Sequence, residues 1–148
     1  MKPKIAIIIP CYNSIEFIDQ CIESVVEQDY ENFEIYVYDN ESTDGTYEYV
    51  VSIAKGGIAM NVLKIKNVYP NSYKEAFDHA FQTIDAEYFT FIASDDYISK
   101  EYISNCMEVI LHAPEKIKCV QSHIVGVQNG IQVNNMQNAY TSLLDFKQ

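Results

Sequence analysis

Asp95 and Asp96 stand side by side at the end of Phe89-Thr-Phe-Ile-Ala-Ser, a short run of strand character. In an open α/β sheet, ligands bind outside the carboxyl ends of the strands, so two acids there occupy a working position. Asp is also favoured in turns and at helix entries, and this stretch alone does not separate the two readings. Two other segments bear on the choice. Ile5–Pro10 is an apolar run leading into Cys11, Tyr12 and Asn13, and Phe33–Tyr38 leads into Asp39 and Asn40. If all three runs are parallel strands of one sheet, their polar ends share one edge.

The segments that must hold these ends alternate in type. The continuous apolar run Ile5–Pro10 predicts a strand covered on both faces. Ile15, Ile18, Ile22 and Val25 recur at helical spacing, while Glu16, Asp19, Glu23 and Glu27 line a solvated face. Asn13 and Glu16 have the spacing of a capping box. Asp39–Thr46 is polar or small throughout and predicts a loop; a short helix over Thr46–Ala54 follows, stopped by Gly56-Gly57. Asn61–Lys66 predicts a third strand, and Ala76, Phe77, Ala80, Phe81 and Ile84 mark an amphipathic helix from Tyr73. Phe89–Ala93 is the fourth strand. Ser99 stands where it could cap a helix running to about His112, with Ile98 and Ile103 spaced for a hydrophobic staple. Lys118–Val127, Asn129-Gly130 and Ile131–Val133 predict a hairpin with a tight turn. Strands alternating with helices predict a mainly parallel, doubly wound α/β sheet in a single domain over residues 1–148.

Composition narrows the partners. The chain has 148 residues, 48% of them hydrophobic and 21% charged, which suits one folded domain. Its formal net charge is −11, all ten basic residues are lysines, and Ile5–Ala54 holds eleven acids and no base. Nucleic-acid binding needs phosphate neutralisation by Lys and Arg, so no nucleic-acid partner is expected. No apolar run approaches the roughly 18 residues of a membrane span, and the opening stretch lacks signal-peptide character, so the expected location is the cytoplasm. Cys11, Cys21, Cys106 and Cys119 form no Cys-x-x-Cys pair and have no zinc-spaced histidine; reduced, mostly buried thiols are expected.

With these segments in place, the chain resembles the inverting family-2 glycosyltransferases of the GT-A fold. The opening IAIIIPCYN is similar to that family's apolar strand closing on Pro-x-Tyr-Asn. VYDNESTDGT is similar to its Val-Asp-Asp-Gly-Ser-Thr-Asp-Gly-Thr loop, and AEYFTFIASDDYISKEYI to the region of its Asp-x-Asp metal motif. The likeness covers roughly residues 3 to 125. It implies that Pro10, Tyr12 and Asn13 border a nucleotide and that Asp39 accepts a hydrogen bond from the base, most often uracil, with Asn40 beside it. It further implies that Asp95 holds Mg²⁺ or Mn²⁺ against the diphosphate of a sugar nucleotide. Ser94 and Asp96 are then substrate-binding neighbours, Asp96 at the sugar. The donor would be a nucleotide-sugar, and the acceptor a hydroxyl of a glycan or glycolipid. A full-length form could associate peripherally with a membrane.

The chain also departs from that pattern. Ala93 stands at the first Asp of Asp-x-Asp, and Asn40 where Asp is common. Ala76-Phe77-Asp78 replaces an Ala-Arg-Asn signature, leaving Lys74 as the nearest basic substitute. The resemblance implies a catalytic Asp or Glu well beyond the metal motif. Asp145 is the only acid beyond Glu115, and its surroundings match no such motif, so the catalytic residue stays unassigned. The expectation is a donor-binding domain without the acceptor-binding C-terminal part. The alternative is a non-catalytic nucleotide-sugar-binding or scaffold module. A receiver-like or flavodoxin-like domain shares the architecture but not the motifs.

Overall fold

The computed structural model describes residues 2–66, 73–113, 120, 125–128 and 131–135. They fall into two compact units, residues 1–100 and 101–148. The first is a four-stranded parallel sheet in the order β3-β2-β1-β4. Its strands are β1 (Ile5–Cys11), β2 (Phe33–Asp39), β3 (Met60–Lys64) and β4 (Tyr88–Phe91). Between them run α1 (Ile18–Val26), α2 (Thr46–Lys55) and α3 (Lys74–Thr83). The second unit contains α4 (Tyr102–His112) and an antiparallel pair, β5 (Val125–Gln128) with β6 (Ile131–Asn135). Asn129-Gly130, the expected tight turn, and Asp145 lie outside the described residues.

β1 is central, and every one of its seven residues is buried. That is what a continuous apolar run means when both faces are covered. Side chains alternate across the sheet, so Ala6 and Ile8 face one side with Tyr36 and Tyr38. There they meet Ala76, Ala80 and Phe77 of α3, with Phe89 and Phe91 of β4 beside them. Phe77 lies 4.1 Å from Phe91 between ring centroids. Ile5, Ile7, Ile9, Ile35 and Val37 face the other side, where Ile18, Cys21, Ile22 and Val25 of α1 and Val50 of α2 are the buried positions.

Register places the strand ends together. Cys11, the last residue of β1, pairs with Asp39, the last of β2, and Ile8 pairs with Phe91, the last of β4. The chain runs outward from β1 to β3 and then returns to place β4 on the other side of β1. The switch in direction lies between β1 and β4, and a crevice outside the carboxyl ends opens at such a point.

Two local expectations are corrected. Asn13 does not cap α1: the helix starts at Ile18 without a side-chain cap, after a turn in which Ser14 C=O accepts from Phe17 and Ile18 N–H. Asn13 sits at φ +49 and turns its side chain to the neighbouring loop instead. Ser99 does not cap α4, which begins at Tyr102 behind Glu101. For Asn13 a long-range hydrogen bond takes the side-chain oxygen that a cap would have used; Ser99 lies three residues before the helix begins, its backbone C=O accepting from Gln28. Gly57, at φ +116, supplies the left-handed step that ends α2.

Candidate functional site

The loop after β1 and the loop after β2 are bound to each other by several hydrogen bonds. Asn13 N–H donates to Ser42 Oγ at 3.0 Å, and Asn13 Oδ1 accepts from Thr43 N–H at 2.8 Å. Ser14 N–H donates to Thr46 Oγ1 at 2.9 Å, and that hydroxyl donates in turn to Asp44 Oδ1 at 2.6 Å. Asp44 Oδ1 also accepts from Thr46 N–H, and its Oδ2 from Ile15 N–H at 3.1 Å. Burial pulls the Asp44 carboxyl upward, but the bonds from Thr46 and Ile15 outweigh it and hold it below its ordinary range. Left-handed Gly45, φ +96, lets Asp44 reach back over the start of α2.

Asp39 lies beneath this loop, 1% exposed. Its Oδ2 accepts from Ser42 N–H at 3.0 Å, and Cys11 Sγ–H faces its Oδ1 at 3.8 Å. Burial, and then the charge of Asp39, push the Cys11 thiol far above its usual range, so it stays protonated. Asn40 is also buried, and its N–H donates to Cys11 C=O at 2.9 Å.

The loop after β4 joins the same edge. Ser14 Oγ and Ser94 Oγ share a buried hydrogen bond of 2.7 Å, and Ser14 Oγ lies 3.3 Å from Tyr12 C=O. Asp96 N–H closes a turn on Ala93 C=O, presenting Asp95 and Asp96 as exposed carboxylates. Partial burial, and then the charge of Asp95, raise the Asp96 carboxyl above its ordinary value. Cys21 beneath them is pushed up to about 12 by burial and then by Asp96 and Asp95. Both thiols are buried and free.

Pro10, Tyr12, Asn13, Asp39, Asn40, Ser94, Asp95 and Asp96 therefore all lie at the carboxyl edge of the sheet, Tyr12 exposed and Pro10 buried. Ser14, Asp44 and Thr46 hold these residues in place but were not singled out by the sequence reading. An Asp two residues before a Thr at a helix start is the signal that could have found the last two. Among the described residues no group of three or more His, Cys, Asp or Glu side chains gathers as a metal site. Mg²⁺-type ions, however, are commonly held by one or two carboxylates plus substrate phosphates and water. Asp95, exposed beside Asp96 at the carboxyl edge, fits that requirement; Ala93 brings no carboxylate.

An open parallel sheet with its polar residues at the switch between β1 and β4 has the doubly wound α/β plan, in which ligands bind at such a point. The chain belongs to glycosyl transferase family 2, whose model matches residues 6–147, and its sheet is of the GT-A type. It is 34% identical over 101 residues to the UDP-Glc:alpha-D-GlcNAc-diphosphoundecaprenol beta-1,3-glucosyltransferase WfaP of Escherichia coli, covering 68% of this chain and 39% of that protein. Its structure is similar to that of S. aureus TarS 1-349 in complex with UDP-GlcNAc, with a TM-score of 0.61 and 29% identity over 72% of this chain and 31% of that one. A mannosyltransferase from Pyrobaculum calidifontis in complex with GDP-Man and Mn²⁺ shares the fold, with a TM-score of 0.67 at 23% identity over 77% of this chain and 34% of that one. The chain spans well under half the length of the curated relatives it matches. No helix among the described residues is long and apolar enough to cross a membrane.

Proposed function

We propose that this chain binds a nucleotide-diphospho-sugar, with UDP as the nucleotide, for inverting transfer of the sugar to a hydroxyl of a glycan or glycolipid. The observation that carries the reading is the 2.7 Å Ser14–Ser94 bond, which joins the loop bearing Tyr12 and Asn13 to the loop bearing Asp95 and Asp96. A ligand with a polar ring at one end and a diphosphate at the other matches the two halves of that edge. Tyr12 and Asn13 would border the nucleoside. Asp39 and Asn40 lie beneath, and Asp39 would accept a hydrogen bond from the base. Asp96 would lie at the sugar.

The carboxylate of Asp95 would hold Mg²⁺ or Mn²⁺. Such a cation, when bound, stabilises the charge that develops on a departing diphosphate. The protein's own contribution is orientation: loops fixed by hydrogen bonds hold the donor in one pose, and acceptor positioning then decides the rate. The expected location remains cytoplasmic. Ala93 favours a second reading, a module that binds the donor without transferring it, since one carboxylate of the family's motif is absent.

Calorimetry with UDP tests the proposal. Binding should be measurable with Mn²⁺ and much weaker with EDTA, and Asp95→Asn should remove the difference. Equal affinity with and without metal would sink the role of Asp95. Preference for another nucleotide would revise only the role of Asp39.

A further inference from the structure

Asp95 and Asp96 lie outside any regular element, between the end of β4 at Phe91 and the start of α4 at Tyr102. A segment without its own ladder or helix bonds is placed by whatever else holds its backbone. Here α1 and the residues just past its end do so at four points. Cys21 Sγ–H donates to Ala93 C=O at 3.5 Å, and Ile98 N–H donates to Ser24 Oγ at 3.2 Å. Gln28 Nε2 donates to Ser99 C=O at 2.7 Å, and Asp29 N–H to Lys100 C=O at 3.2 Å. Cys21 and Ser24 are three residues apart on one stripe of α1, and Gln28 lies just past its end. The bonds flank the two acids on both sides.

Neither polar side chain is free to turn away. Ser24 Oγ donates to Cys21 C=O at 2.8 Å while it accepts from Ile98. Gln28 Nε2 also donates to Ser24 C=O at 2.9 Å, so both its hydrogens are used. Gln28 is 8% exposed, and a buried amide costs free energy that an apolar side chain of the same size would not. Its use here fixes a geometry that apolar packing would leave loose.

We propose that Ser24 and Gln28 are positioning residues for the Asp95–Asp96 carboxylates, so that α1 sets where the diphosphate and its cation are held. This rests on the donor-binding reading above for its functional half, and on geometry alone for its structural half. Neither residue touches the ligand in this scheme.

The test uses the full chain carrying Ser24→Ala with Gln28→Met, which keeps volume and removes the bonds. Amide hydrogen exchange at residues 94–98 should accelerate about tenfold or more, with exchange in β1 unchanged. The Mn²⁺ concentration needed for half-maximal UDP binding should rise by about the same factor. Ser24→Thr, which keeps the hydroxyl, should retain both wild-type values, and Ser24→Ala alone serves if the double variant does not fold. Unchanged exchange at 94–98 in a folded variant overturns the proposal. So does acceleration spread equally through β1, which would mean general destabilisation. If the unaltered chain binds no UDP with Mn²⁺, the donor reading fails, while the exchange measurement still decides whether α1 places the loop.

Discussion

At the scale of single residues, a relay runs from Ser14 N–H to Thr46 Oγ1 to Asp44 Oδ1. Thr46 is fully buried, so its hydroxyl cannot be replaced by water. Thr46→Val should leave the Ser14 N–H without an acceptor and cost about 1–3 kcal/mol in urea unfolding. Thr46→Ser keeps the relay and should cost less. Asp44 adds a dependence on pH. Its folded-state carboxyl is held below the ordinary Asp range, so its contribution is present above that range and lost as pH falls through the depressed value. Asp44→Asn, which removes one acceptor, should therefore be less stable than the parent near neutral pH. The gap should close as pH drops below the ordinary range of an Asp carboxyl. A gap that persisted or widened in acid would assign the stability to some other group. The sequence revealed which residues sit at the strand ends because Asp and Asn interrupt apolar runs there. It did not reveal the relay, whose partners are thirty-two residues apart and of types that suit any loop.

At the scale of elements, the site depends on how α2 begins. Gly45, at φ +96, has nothing within 4 Å of where a Cβ would stand, so an added methyl group meets no neighbour. Gly45→Ala should still cost about 1–2 kcal/mol, because the penalty for an L-residue in the left-handed region is local. Gly45→Asn should cost less, and chemical denaturation measures both. Equal stability of all three would mean that the loop can adopt another backbone path. The elements were largely legible: four strands, three helices between them and their order follow from apolar runs and helical spacing. Helix entries were not. Asn13 and Ser99 are both good caps by type, yet Asn13 Oδ1 accepts from Thr43, and Ser99 C=O accepts from Gln28. For Asn13 a long-range partner outcompetes a cap whose gain is only about 1 kcal/mol, whereas Ser99 simply lies three residues before the helix begins.

At the scale of the whole molecule, the proposed donor binding asks how a chain of net charge −11 without arginine would hold a diphosphate. Asp39, Glu41, Asp44, Asp95 and Asp96 all lie near the carboxyl edge, and Lys66 pairs with Glu41 at 3.6 Å rather than standing clear of the acids. Lys74, at the start of α3, pairs with Asp78. A bare diphosphate therefore approaches a field of its own sign. Repulsion between exposed charges is screened over about 30 Å at 0.01 M salt and about 8 Å at 0.15 M. In EDTA, weak binding of UDP should strengthen as sodium chloride rises from about 10 to about 150 mM across that range of screening lengths. With saturating Mn²⁺ the dependence should flatten or reverse, because the cation then supplies the attraction that salt screens. Titrations at both salt concentrations, with metal and with chelator, separate the cases. If salt weakens metal-free binding, a cation of the protein itself must reach the phosphates. Lys74→Ala would then be the first substitution to make, and its loss of salt dependence would move the diphosphate from Asp95 to the α3 side of the sheet.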